Sequence, residues 1–75
     1  MAKRKTRKTI PAYQKRVIDE RKQLDDRIKK LTRFMLTTQF MQLSSAEQRR
    51  LGRQRDYMDL YSRVLLERIE AFDVR

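Results

Sequence analysis

Histidine and cysteine are both absent from this 75-residue chain, and glycine and proline occur once each. Without cysteine no disulfide can form, and without either residue the usual zinc ligands are missing. The same absences remove the ordinary general base near neutral pH and the thiol nucleophile. One glycine, Gly52, is too few for a glycine-rich phosphate loop. The sequence therefore predicts a protein that is not an enzyme and has no metal or cofactor.

Long apolar runs are also missing. No stretch approaches the roughly 18 apolar residues of a membrane span, and the basic first residues lack the following apolar segment of a signal peptide. We therefore expect a soluble, cytoplasmic protein with no membrane partner.

Positive charge is what the chain has in excess. Lys and Arg number 20 against 10 Asp and Glu, which gives a formal net charge of +10. This charge favours an anionic partner such as nucleic acid, a nucleotide or an acidic protein. A chain this short rarely builds a sufficient core alone, and self-association is the remaining means of stabilisation. We therefore expect a homo-oligomer.

The pattern along the chain predicts an all-α fold: an antiparallel two-helix hairpin with a basic disordered tail, assembling as a homo-oligomeric helical bundle. The tail covers residues 1–9 and the hairpin residues 10–75. Within the hairpin we expect helix one at about 11–36, a loop at about 37–44 and helix two at about 45–72. The tail contains no acid, and a basic run of this kind can meet a polyanion. Its five cations are Lys3, Arg4, Lys5, Arg7 and Lys8.

Local signals mark where the two helices begin. Thr9 or Ile10 is expected near the cap of helix one, with Pro11 in the first turn. The segment from Ser44 to Glu47 reads as a capping box for helix two. The uncharged loop before it is expected to fold its apolar side chains back over the end of the hairpin. These side chains are Phe40, Met41 and Leu43.

Apolar residues recur at helical spacing on both helices. Helix two carries a second apolar row beside its main stripe, and this row is either partly exposed or covered by a neighbouring protomer. We favour the protomer, although a host protein would fit the row equally well. The predicted interface residues are Val17, Leu24, Ile28, Leu31, Met58, Leu60, Val64 and Leu65. Gly52, inside helix two, indicates either a neutral substitution or close approach of another helix or ligand.

An antiparallel hairpin brings the end of helix one beside the start of helix two, and this gathers cations at the loop end. They form either a solvated face or an anion site. The eight cations are Arg27, Lys29, Lys30, Arg33, Arg49, Arg50, Arg53 and Arg55.

Two resemblances carry further expectations. The chain resembles small phage and prophage proteins related to a crAss-like phage gene product. That resemblance runs from Tyr13-x-x-Arg16-Val17 in helix one to Met58-x-x-Tyr61-x-x-Val64-Leu65 in helix two. It implies an accessory protein acting in the cytoplasm of a bacterial host.

The chain is also similar, more loosely, to the helical-hairpin sponges with which phages sequester cyclic-nucleotide alarm signals. Tyr13 matches a ligand-gripping Tyr of those proteins by position. Their Lys falls at Ile28 here, with Lys29 next to it, and their second-helix motif is absent. The similarity implies a non-catalytic oligomer that binds an anionic nucleotide between protomers.

Three functions follow as hypotheses. The first is sequestration of an anionic, cyclic nucleotide signal as a counter-defence function. The second is sequence-independent DNA or RNA binding through the tail and the arginine-rich end. The third is inhibition of a host defence protein. The candidate ligand-binding residues are Tyr13, Arg16, Lys29, Arg33, Arg49, Arg50, Arg53, Tyr57 and Tyr61.

Overall fold

The computed structural model describes residues 10–72, and these residues form three α-helices. Helix α1 spans Ala12–Phe34, the single-turn helix α2 spans Thr38–Met41, and helix α3 spans Ser45–Ala71. No strand occurs in this part of the chain, and the predicted all-α class is confirmed. The tail of residues 1–9, with its five cations, and residues 73–75 lie outside the described residues.

Helix α1 begins directly after Pro11, whose ring has no N–H to satisfy. The Pro11 carbonyl accepts hydrogen bonds from the backbone N–H groups of Gln14 and Lys15, at 3.0 and 3.1 Å. The cap is therefore Pro11 itself, one residue after Ile10, while Thr9 lies outside the described residues.

Of the two hydrogen bonds in the capping box predicted at the start of α3, the one accepted by Ser44 is formed. The Ser44 hydroxyl accepts a hydrogen bond from the backbone N–H of Glu47 at 3.1 Å. The Glu47 carboxylate turns forward and pairs with the guanidinium of Arg50 at 2.8 Å. Its negative charge still lies in the first turn of the helix, where the helix dipole favours an anion.

The predicted loop contains α2 rather than irregular chain. The Thr37 hydroxyl accepts from the Phe40 N–H at 3.2 Å and donates to the Phe34 carbonyl at 2.6 Å. The Phe40 ring packs edge-on against the Phe34 ring, with centroids 6.0 Å apart. Met41, expected to fold back with Phe40, is exposed instead. Adjacent residues of a helical turn point about 100° apart, so one turn cannot direct both inward.

The long helices α1 and α3 pack against each other, and their contacts run in opposite directions along the chain. The Tyr13 ring meets the Phe72 ring edge-on at 5.9 Å. At the other end, Arg55 Nε donates to the Thr32 hydroxyl at 2.8 Å. The start of α1 therefore lies beside the end of α3.

The core between these helices is small. Only Val17, Leu24 and Leu65 are buried apolar side chains in the described part of the chain. Partly buried side chains pack around them, namely Ile28, Met58, Ile69 and Phe72. Such a core stabilises a domain by only a few kcal/mol, on the order of 3–5 for chains of this size.

The predicted interface residues separate into three groups by burial. Val17, Leu24 and Leu65 are covered by the chain's own helices, because each long helix already buries the main stripe of the other. In contrast, Leu60 and Val64 project from α3 into solvent. The remaining three residues, Ile28, Leu31 and Met58, are partly buried.

A polar cluster crosses the middle of the helix pair. Ser62 is only 4% exposed, and its hydroxyl donates to the Asp25 carboxylate at 2.6 Å. Arg21 Nε lies 3.2 Å from both the hydroxyl and the carbonyl oxygen of Ser62. No side-chain nitrogen or oxygen buried within residues 10–72 lacks a partner. Because these bonds form only when Ser62 lies between Arg21 and Asp25, they fix how α1 and α3 align.

Replacing the fully buried Leu65 with alanine should lower the free energy of unfolding by about 2–5 kcal/mol, because it leaves a cavity in a small core. Leu36→Ala is the matched control, since Leu36 is 83% exposed. Its effect should stay within about 0.5 kcal/mol. Urea unfolding followed by circular dichroism, at one fixed protein concentration, measures both. Equal effects of the two changes would contradict this core.

Gly52 has free space beside its Cα and makes no close contact there. A Cβ built on Gly52 would meet no heavy atom within 4 Å, and its φ is not positive. Gly52→Ala should therefore raise the free energy of unfolding by about 0.5–1 kcal/mol, because alanine favours the helix. A loss of stability in thermal unfolding would show that something approaches this backbone in solution.

Candidate functional site

A shallow groove on α3 brings tyrosines and arginines together. Residues at positions i, i+3, i+4, i+7, i+8 and i+11 line it because these positions share one face of a helix. The groove has a volume of about 560 Å³, within the range of small-molecule sites. Its lining residues are Arg50, Arg53, Gln54, Tyr57, Met58 and Tyr61.

The two tyrosines present large ring surfaces to solvent. Tyr57 is 65% exposed and Tyr61 is 45% exposed. They lie four residues apart, so their rings are neighbours on the helix surface. Met58 lies between them in sequence but turns toward the core, where it packs against the buried side chains. The groove therefore has an apolar floor anchored in the core and aromatic walls open to a planar ligand.

The two arginines lie toward the start of α3 from these rings. Arg50 is bound to Glu47, in an exposed pair of a kind that contributes about 0.2–1 kcal/mol. Arg53 makes no ion pair with any residue between 10 and 72. An anion could replace the water around both guanidinium groups at a small free-energy cost, since neither group is held in a buried network.

The predicted cluster of eight cations is exposed on both helices apart from the half-buried Arg55. Three of its members already have partners within the chain. Lys30 pairs with Asp26 at 3.2 Å, Arg50 with Glu47, and Arg55 with the Thr32 hydroxyl. The other five, Arg27, Lys29, Arg33, Arg49 and Arg53, make no ion pair within the described residues. This end of the helix pair therefore keeps an excess of positive charge.

The predicted ligand residues do not all meet in one place. Arg50, Arg53, Tyr57 and Tyr61 share the groove. Tyr13 packs against Phe72, eleven residues beyond Tyr61, which is about 16 Å along a helix. The others do not line the groove. Arg16 is one turn from Tyr13 on α1. Lys29, Arg33 and Arg49 are exposed at the basic end, the end of the helix pair that carries the eight cations.

Two lining residues were missed by sequence reasoning, Gln54 and Met58. Gln54 Nε2 lies 3.9 Å from the Met58 sulfur, and together they close the groove between Arg50 and Tyr61. Their spacing from Arg50, four and eight residues on, is the signal that could have identified them.

A second depression lies where Arg21 and Asp25 of α1 face Leu66 and Ile69 of α3, with a volume of about 280 Å³. Of its charged groups, Arg21 and Asp25 both bind Ser62. The third, Lys22, is exposed and makes no ion pair within residues 10–72. Because the Asp25 carboxylate lines this depression, and no acid lines the α3 groove, the depression suits an anion less than that groove does.

Metal chemistry and membrane insertion find no support in the described residues. No three metal-ligating side chains cluster between residues 10 and 72. None of the helices there has the length and apolar character needed to span a bilayer.

These features define a class of small, all-helical proteins with a groove that is aromatic on one side and cationic on the other. Comparison with known families gives a specific assignment. The family model described as Sequestin matches residues 11–71, which include all three helices, and the chain belongs to that family. No curated protein and no solved structure matches the chain significantly.

Proposed function

We propose that this protein sequesters a small anionic nucleotide, of the cyclic kind used as an alarm signal, and does so as a homo-oligomer without chemical turnover. In this proposal it acts in a bacterial cytoplasm as a phage accessory or counter-defence protein. The observation that carries the proposal is the groove in which two exposed tyrosines adjoin two exposed arginines. The family assignment supports it, because the name Sequestin points to a sequestering function.

Each half of the groove suits one half of a nucleotide. A purine or pyrimidine has an aromatic face that can stack on Tyr57 or Tyr61, and stacking contributes about 1–3 kcal/mol per base in single-strand binders. A phosphate accepts charge-assisted hydrogen bonds from a guanidinium group, which are stronger than neutral ones. Arg53 is the first choice for that contact, because it has no carboxylate partner in the described structure.

The dimensions favour a small ligand. From Arg50 to Tyr61 the groove extends over eleven residues, or about 16 Å of helix. That length accommodates one or two nucleotides, whereas a polymer would continue over the exposed lysines and arginines beyond it.

The groups available support binding without turnover. Tyrosine, arginine, glutamine and methionine line the groove, and the chain contains no histidine or cysteine. Binding alone can serve a sequestering protein, provided that enough copies are present to lower the concentration of unbound signal.

Equilibrium dialysis against a panel of cyclic mono-, di- and trinucleotides tests the proposal. At least one of them should bind the full chain and be recovered intact by mass spectrometry. Tyr57→Ala should then weaken that binding about 5- to 150-fold, the equivalent of 1–3 kcal/mol of stacking. Tyr57→Phe should retain most of it, because the ring remains.

Arg53→Gln and Arg63→Gln form a matched pair for the phosphate contact. Both arginines are exposed on α3, but Arg63 lies outside the groove and pairs with Asp59. Arg53→Gln should weaken nucleotide binding about tenfold, as expected for the loss of one charge-assisted hydrogen bond. Arg63→Gln should change it less than twofold. Equal losses of affinity would mean that binding depends on the overall positive charge of the protein and not on a contact in the groove.

Nucleic-acid binding is the second candidate, favoured by the five cations of the basic end that make no ion pair within the described residues. It predicts affinity for a 20-base oligonucleotide that falls steeply between 50 and 200 mM salt and depends on residues 1–8. Binding of a cyclic nucleotide in the groove should survive both the salt and the removal of those residues. Oligonucleotide binding with no cyclic nucleotide bound would replace the proposed function by this one.

A further inference from the structure

Helix α3 carries a second seam that α1 does not cover. Residues spaced alternately by four and three positions run along it, the repeat that lets two helices pack side by side. At its centre Leu60 is 53% exposed and Val64 is 50% exposed. The seam consists of Ala46, Arg50, Arg53, Tyr57, Leu60, Val64, Glu67 and Ala71.

The order of charges along this seam is asymmetric. Its first half contains Arg50 and Arg53, its middle is apolar, and its second half contains Glu67. If two copies of α3 packed in parallel, each residue would face itself, so arginine would oppose arginine and glutamate would oppose glutamate. If they packed antiparallel, the arginine half of each copy would face the glutamate half of the other. Like charges placed opposite each other destabilise a contact, so the seam discriminates between the two orientations.

We propose that a second copy of this chain docks on the seam, with the two α3 helices antiparallel. In the register that pairs the first seam position of one copy with the last of the other, Tyr57 lies opposite Leu60 of the second copy. Arg50 then lies opposite Glu67 of the second copy, and Ala46 opposite Ala71. Because the contact is two-fold, each of these pairs occurs twice. This proposal gives a surface and an orientation to the oligomeric part of the proposed function, and it rests on that part.

The same contact completes the ligand groove. Around the axis of α3, the groove residues Gln54 and Tyr61 lie between the side that packs on α1 and the side that forms the seam. A second α3 on the seam therefore stands along the open edge of the groove, opposite α1. The groove changes from a surface depression to a channel walled by two protomers, in which Tyr57 serves both the contact and the ligand.

Sedimentation equilibrium without ligand tests the surface. The full chain should be a dimer at micromolar concentration, and Leu60→Asp should raise the dissociation constant at least about tenfold, because it places a carboxylate at an apolar contact in both copies. Leu36→Asp is the control, since Leu36 is at least as exposed but lies outside the seam. Circular dichroism should show that both variants keep their helices. A monomeric full chain, or a dimer unaffected by Leu60→Asp, overturns the proposal.

A charge exchange tests the orientation. Glu67→Arg should weaken the dimer about three- to tenfold, because it sets arginine against Arg50 of the second copy. The double variant Arg50→Glu with Glu67→Arg should restore it, whereas a parallel dimer would show neither the loss nor the rescue.

Introduced cysteines give an independent reading, because the chain has none of its own. Mixing Ala46→Cys with Ala71→Cys should yield a mixed disulfide, since a bridge requires Cα atoms within about 7 Å. A disulfide between two Ala46→Cys chains would mean a parallel dimer. A dimer that forms no disulfide in either sample would rule out this register.

The outcomes for the dimer and for the ligand can be told apart. An intact antiparallel dimer that binds no cyclic nucleotide refutes the ligand and leaves the interface standing. A monomer that binds a cyclic nucleotide refutes the interface and leaves the ligand standing.

Discussion

The contact between α1 and α3 is the constraint on which the rest of this structure depends. Two helices can bury only the one stripe that each turns toward the other, and within residues 10–72 that stripe amounts to three buried apolar side chains. Everything outside it remains in contact with water, including the ring faces of Tyr57 and Tyr61. The groove therefore exists because the fold has too few elements to cover it.

The cluster of Arg21, Asp25 and Ser62 gives this small contact its alignment. Apolar stripes with a seven-residue repeat can slide past each other by one repeat with little loss, as coiled coils show. A buried hydroxyl at 4% exposure with an arginine and an aspartate as its partners cannot, because sliding would take Ser62 away from both. Arg21 and Asp25 would keep only each other, at 3.8 Å on α1. That alignment in turn decides which exposed residues of α1 lie at the level of the groove, so the polar contact at Ser62, the residue after Tyr61, determines the surroundings of the tyrosines.

Much of the fold could be predicted from the sequence, because helical periodicity is a local property. The start of α3 followed from Ser44, whose hydroxyl does accept the Glu47 N–H. The helix α2 did not follow, because a single turn depends on Thr37 binding the chain on both sides, and threonine is a poor helix former in isolation. The buried state of Ser62 was also missed, since no pattern in one helix reveals that Arg21 of the other will reach it.

The candidate site was predictable only where its members share a helix. Arg50, Arg53, Tyr57 and Tyr61 come together because their spacing alone puts them on one face. Tyr13 and Arg16 were grouped with them by residue type and resemblance, but which end of α3 they meet depends on how the two helices cross. The direction of that packing, with Tyr13 beside Phe72, separates them from the groove.

The placement of the tyrosines lets intrinsic fluorescence report on the groove. The chain has no tryptophan and three tyrosines, so its ultraviolet emission comes from tyrosine alone. Two of the three emitters line the groove, while the third, Tyr13, packs against Phe72 at the opposite end of the helix pair. A base stacked in the groove would quench the first two and leave the emission of Tyr13, so occupancy can be followed without a label as a partial fall in total tyrosine emission.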